Sequence, residues 1–317
     1  MDNRTAIFSS RADLVVFGIG PLLVTFFVWL YQASVGPTMT TVDPVVFLAL
    51  FVFLDHFHVY LGIGTALKIG TKNPARQRNF YLLFPPICFA AYLGLNLIGS
   101  DVFSKAFAYA SIFHFGRQQL GWMRISDRGD KRRKLSDICT YANTFGFVAY
   151  GASTHMSLQW FSPGDIGKLP GFLTSWILTG IVLINLAYLG LQFYRPFNRT
   201  KCLVWLSTLL VWGVAFGWYR EFNAISLSLI VAQHAIPSIW ISYLYIKKRI
   251  SQKDRFNKTM RGLGGMAILF SGIEFAASAT DEGVIWLGPL LATASTFHYA
   301  IDSFFWREKH NQGCLEF

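Results

Sequence analysis

Five of this chain's seven histidines fall deep inside long apolar stretches: His56, His58, His114, His234 and His298. An ionisable group in such surroundings is costly and is kept for a function or a partner. Neutral imidazole is the commonest metal-ligating side chain. It suits iron, zinc, copper and nickel, and carries no charge into an apolar interior. These five are therefore the expected metal ligands. His155 and His310, one at the edge of an apolar stretch and one in the C-terminal tail, are set aside.

Polar residues stand where they could orient the rings. Gln118 follows His114 by four positions and Asp302 follows His298 by four, so each pair shares a helix face. A ligating histidine passes its other ring N–H to such a carboxylate or carbonyl. Glu274 is a further carboxylate in an apolar stretch, and could act as partner, proton carrier or ligand, or form a salt bridge to Arg117. Gln118, Glu274 and Asp302 are the candidate catalytic side chains. His56 and His58 are two positions apart, which on a helix separates them by about 200°. Unless the helix is broken there, one is a ligand and the other supports it. Asp55, beside them, could orient a neighbouring group.

The elements that must position these side chains are transmembrane helices. The 317 residues are 53% hydrophobic and 14% charged, with a mean hydropathy of +0.39, too apolar for a soluble domain. A span needs about 20 apolar residues. Scanning on that basis yields ten: 13–34, 44–68, 78–99, 103–123, 137–154, 171–193, 202–220, 223–246, 261–279 and 284–306. The expected fold is all-α, a polytopic transmembrane helix bundle forming a single integral membrane domain over residues 1–317.

Loop charge tests the count. Placing both termini in the cytoplasm puts 24 of the 28 Lys and Arg on the cytoplasmic side. The opposite loops hold only Lys105, Lys168 and Arg220, while Arg117 lies within a span. Strict alternation of this kind follows the positive-inside rule; the expected location is a bacterial inner membrane. The alternation accounts for the net charge of +11 without nucleic acid as a partner. The first span is too long for a signal peptide core and lacks a small-residue cleavage site, so it is expected to remain. The cysteines show no metal-type pairing and are expected to be packing residues.

On this topology the helices carrying the five histidines all run from outside to inside. The histidines lie about 11–14 residues from each outer end, or roughly 16–21 Å at the helical rise. Four helices thus deliver imidazole to one level.

Three segments resemble motifs of the Brp/Blh-like β-carotene dioxygenases: Ser111-Ile112-Phe113-His114-Phe115-Gly116, the segment containing Gln233-His234, and Ser295-Thr296-Phe297-His298-Tyr299-Ala300-Ile301-Asp302-Ser303-Phe304-Phe305-Trp306-Arg307. Members of that family are integral membrane enzymes that cleave β-carotene to retinal and hold iron with four histidines. The resemblance implies His114, His234 and His298 as ligands, with Asp302 matching the acidic residue after the last one. The family's first motif has a Pro before its histidine and an Asp four residues after. This chain has neither in Leu54-Asp55-His56-Phe57-His58-Val59-Tyr60, which leaves the fourth ligand between His56 and His58.

The expected function is that of an Fe(II) oxygenase using molecular oxygen on an apolar substrate dissolved in the lipid bilayer, with carotenoid cleavage its most concrete form. Alternatives are a di-iron lipid desaturase or hydroxylase, which usually needs about eight histidines, and a haem-binding or transport protein. Metal stoichiometry and the visible spectrum separate them.

Overall fold

The computed structural model describes residues 7, 9–35, 54–69, 74–126, 133–154, 170–193, 198–218, 224–250, 252–278 and 281–305. Among these every element is helical, the form in which a segment satisfies its own backbone polar groups without water.

In chain order the helices are α1 (Ser10–Asp13), α2 (Gly20–Val35), α3 (Phe57–Ile69), α4 (Pro74–Ile98), α5 (Ser100–Ser126), α6 (Arg133–Tyr141), α7 (Phe147–Thr154), α8 (Gly171–Phe193), α9 (Arg199–Trp212), α10 (Ala224–Arg249), α11 (Lys253–Ser278) and α12 (Asp281–Phe305). Wider π-type turns occupy Leu14–Ile19, Ala142–Gly146 and Gly213–Trp218.

Among the described residues, five helical stretches are long and apolar enough to cross a membrane: Arg11–Tyr31, Arg78–Ile98, Gly171–Gln192, Arg199–Gly217 and Ser228–Lys248. Their composition explains their exposed faces. On α8, for example, Phe172, Trp176, Leu183 and Leu186 are all exposed, an apolar surface suited to lipid. The other expected spans also coincide with helices over their described residues, though more polar ones. α11 begins with Lys253, Asp254, Arg255, Lys258 and Arg261 before its apolar part. Residues 44–53 of the second expected span lie outside the described residues.

Prolines do not end these helices. α4 continues through Pro85 and Pro86, α10 through Pro237 and α12 through Pro289, as neighbouring helices allow in membrane proteins. Pro237 has no N–H to give to the carbonyl of Gln233, four residues earlier, which loosens the backbone ladder next to His234.

The chain's contacts divide it into two compact units. One comprises Met1–Val46 and Ile112–His234, the other Phe47–Ser111 and Ala235–Phe317. In the first, the Ala142–Gly146 turn is tied to α8 by a reciprocal amide pair. Asn143 Nδ2 donates to Asn185 Oδ1 at 3.0 Å and Asn185 Nδ2 donates to Asn143 Oδ1 at 2.6 Å. Trp205 Nε1 also donates to Asn185 Oδ1, at 2.8 Å, adding α9 to the junction. Near the chain start, the buried Asp13 carboxylate accepts from the Thr200 hydroxyl at 2.6 Å and from the Ile7 backbone N–H at 2.9 Å.

In the second unit, Ala66 of α3, Tyr245 of α10, and Phe297 and Ile301 of α12 form a core bordered by Phe80, Tyr81 and Phe84 of α4. Leu61, Ile246 and Leu263 form another, joining α3, α10 and α11. Hydroxyl pairs add direction to this apolar packing. Tyr92 and Thr296 meet at 2.7 Å, and Ser111 and Tyr299 at 3.0 Å. The last pair joins two of the motif segments within this unit.

Candidate metal centre

The second unit positions its histidines on α3 and α12. Leu54–His56 forms a wider turn leading into α3, so Asp55 lies just ahead of the helix and His58 in its first turn. Asp55 Oδ1 is 3.4 Å from His58 Nδ1, an i,i+3 relation that brings acid and ring to one side. The His58 ring stands edge to face with that of His298, with centroids 4.8 Å apart and planes at 82°. Each residue is only 1% exposed. One turn beyond His298, Asp302 Oδ2 lies 3.4 Å from His298 Nε2. His58 thus faces His298, while His56 is half-buried.

The first unit positions its pair on α5 and α10. The His114 and His234 rings are also edge to face, with centroids 5.0 Å apart and planes at 83°, and both are buried. Gln118, one turn after His114, meets His234 Nδ1 with its Oε1 at 2.6 Å. An amide oxygen only accepts, so Nδ1 is the donor and Nε2 keeps the lone pair. The expected helix-face pairing of Gln118 with His114 therefore serves the histidine of the neighbouring helix. Phe115 covers His234, with ring centroids 4.2 Å apart.

The backbone carrying His234 is itself held in place. Gln233 Oε1 accepts from Trp212 Nε1 at 3.0 Å, and Gln233 Nε2 donates to Ser207 Oγ at 2.9 Å. Both partners lie on α9. A second link between helices runs from Thr208 to Gln119, where the hydroxyl donates to Oε1 at 3.3 Å.

Both imidazole pairs suit a metal. Two imidazoles bound to one ion at about 2.1 Å and at angles of about 90–110° would have centroids about 4.6–5.3 Å apart. The separations of 4.8 and 5.0 Å both fall in that interval. The partners of His58 and His234 suit it too, since an oxygen beside Nδ1 leaves Nε2 as the ligand.

No family model, characterised protein or solved structure matches this chain. What bears on its chemistry is the geometry of its own side chains.

Of the expected site residues, the structure brings His58 to His298, His114 to His234, and Gln118 and Asp302 to ring nitrogens. His56 lies in the Leu54–His56 turn and is half-buried. Glu274 lies on α11, and its side chain is outside the described residues, as are His155, Trp306, Arg307 and His310. Arg117 donates from Nη1 to the Tyr141 hydroxyl at 2.7 Å. Sequence reasoning passed over the anchoring roles of Gln119 and Gln233. An available signal was their position, each next to a residue already singled out, Gln118 and His234.

Proposed function

We propose that this chain is a membrane-embedded non-haem iron oxygenase acting on an apolar isoprenoid or lipid, most concretely cleaving a carotenoid to an apocarotenal such as retinal. The observation that carries the proposal is the pairing of buried imidazoles, His58 with His298 and His114 with His234, at separations that ligands of a metal ion adopt. Their motif segments are those that resemble the β-carotene dioxygenases. In this reading the protein has ten spans in a bacterial inner membrane, with both termini cytoplasmic.

Each imidazole pair, His58 with His298 and His114 with His234, would offer ligands to Fe(II), which when bound supplies oxygen activation. The protein's own residues do the rest. Gln118 keeps the proton of His234 on Nδ1 so that Nε2 is offered as a ligand. The Asp55 carboxylate, 3.4 Å from His58 Nδ1, would favour a proton on that nitrogen electrostatically. The helix α9 contacts of Gln233 hold the backbone of His234 steady, and the apolar walls exclude water and bind a hydrocarbon chain.

Two measurements test the proposal. Metal analysis of purified protein should find iron, with one ion per chain as the resemblance implies and two for a di-iron desaturase. Cells making β-carotene should lose colour on expressing the protein, and His114→Ala, His234→Ala and His298→Ala should each abolish that loss and lower bound iron. Full retention of iron and activity in all three variants would sink the metal assignment. Iron without loss of colour would remove the carotenoid substrate alone.

A further inference from the structure

Gly62 follows His58 by one helical turn, so the two share a face of α3. The His298 ring of α12 lies over that face. A Cβ built on Gly62 would sit 2.7 Å from His298 Nδ1 and 2.9 Å from Cε1, with no other atom of the ring within 4 Å. That pattern is an approach in the plane of the ring, onto its Nδ1–Cε1 edge. Atoms above the ring face would be nearly equidistant from all five ring positions.

The ring has little room to yield. It is 1% exposed, packs edge to face on His58 at 4.8 Å, and has Asp302 at 3.4 Å from Nε2. A metal bound to Nδ1 would project about 2 Å outward in the ring plane, into the space beside Gly62. Nε2, on the far side of Cε1, points away from Gly62.

Resting on the metal-centre reading above, we infer that Gly62 is a positioning residue: by lacking a side chain it seats the His298 ring with Nδ1 against α3, and so makes Nε2 the ligating nitrogen. His58 and His298 then differ in kind. The Asp55 carboxylate stands behind His58, at its non-ligating nitrogen, whereas Asp302 stands beside the ligating nitrogen of His298 and so on the metal's side of the ring. Asp302 is thereby placed to supply an oxygen to the ion or accept a proton next to it, instead of orienting the ring from behind.

The test uses the full-length protein in detergent with Co(II) as the probe, because its visible ligand-field bands report coordination geometry. Gly62→Ala should weaken Co(II) binding by about tenfold or more, the usual effect of disturbing a ligand's support, and alter the bands. Gly94→Ala, at a position of α4 with no atom within 4 Å of the added Cβ, should leave both unchanged. In the metal-free protein, Gly62→Ala should lower the melting temperature, and the same substitution made in a His298→Ala background should not. Wild-type affinity and bands in Gly62→Ala would overturn the inference while the metal centre stands. Absence of Co(II) binding by the unsubstituted protein would overturn both. If Gly62→Ala does not fold, recovery of the fold in the Gly62→Ala/His298→Ala double variant supports the seating of the ring, and failure to recover overturns it.

Discussion

The Oε1 of Gln118 lies 2.6 Å from Nδ1 of His234, a hydrogen bond from α10 to α5 that assigns the His234 tautomer. Replacing Gln118 with Leu removes the acceptor and lets the ring rotate or change tautomer. Iron affinity is expected to fall by about 10–100-fold, the usual cost of losing such support. Gln118→Glu keeps an oxygen at that position and should retain most of the binding. Titration with Fe(II) under anaerobic conditions measures both. Equal affinity in Gln118→Leu and the unsubstituted protein would remove Gln118 from the site.

His58 and His56 provide a contrast within one turn of chain. His58→Ala removes a ring that meets His298 at 4.8 Å, and should lower bound iron. His56→Ala changes a half-buried residue outside that pair and should leave iron content near that of the unsubstituted protein. Metal analysis of the two variants side by side decides between them, and the reverse outcome would make His56 the ligand.

The helices themselves were legible because apolar length is a one-dimensional property. The expected span 171–193 coincides with α8, Gly171–Phe193, whereas α11 begins at Lys253, eight residues before the expected 261, because its first two turns are charged. Facing is a different matter. A regular helix would separate His56 and His58 by about 200°, but only the packing of α12 on α3 shows that His58 meets His298. Gln118 was legible as a polar residue beside a ligand, yet its bond goes to a helix over a hundred residues away. Gly62 carried no signal at all, since an absent side chain acquires meaning only once the ring that fills its place is known.

Tyr299 separates support from chemistry. Its hydroxyl meets Ser111 at 3.0 Å, tying α12 to α5 next to His298. Tyr299→Phe removes that bond and should cost about 1 kcal/mol of stability while leaving bound iron unchanged. Denaturation in mixed detergent micelles, with metal analysis of the folded protein, checks both. Loss of iron without loss of stability would give the phenol a direct place at the metal.

The amide pair of Asn143 and Asn185 should matter for stability and not for metal. Both side chains are buried, and each both gives and receives a hydrogen bond across α8 and the Ala142–Gly146 turn. Asn143→Leu leaves Asn185 with an unmatched half of the exchange, although Trp205 still donates to its oxygen and its own Nδ2 still reaches the Ile181 carbonyl at 2.8 Å. Those remaining partners limit the loss. Interhelical hydrogen bonds in membrane proteins contribute about 0.6–2 kcal/mol, so Asn143→Leu should fall in that range. Asn185→Leu strands more, because Asn143 and the Trp205 N–H both lose the same acceptor, and its cost should exceed that of Asn143→Leu by about 1 kcal/mol or more. Unfolding measured for both variants tests the ordering, and equal costs would mean that the Trp205 hydrogen bond contributes nothing.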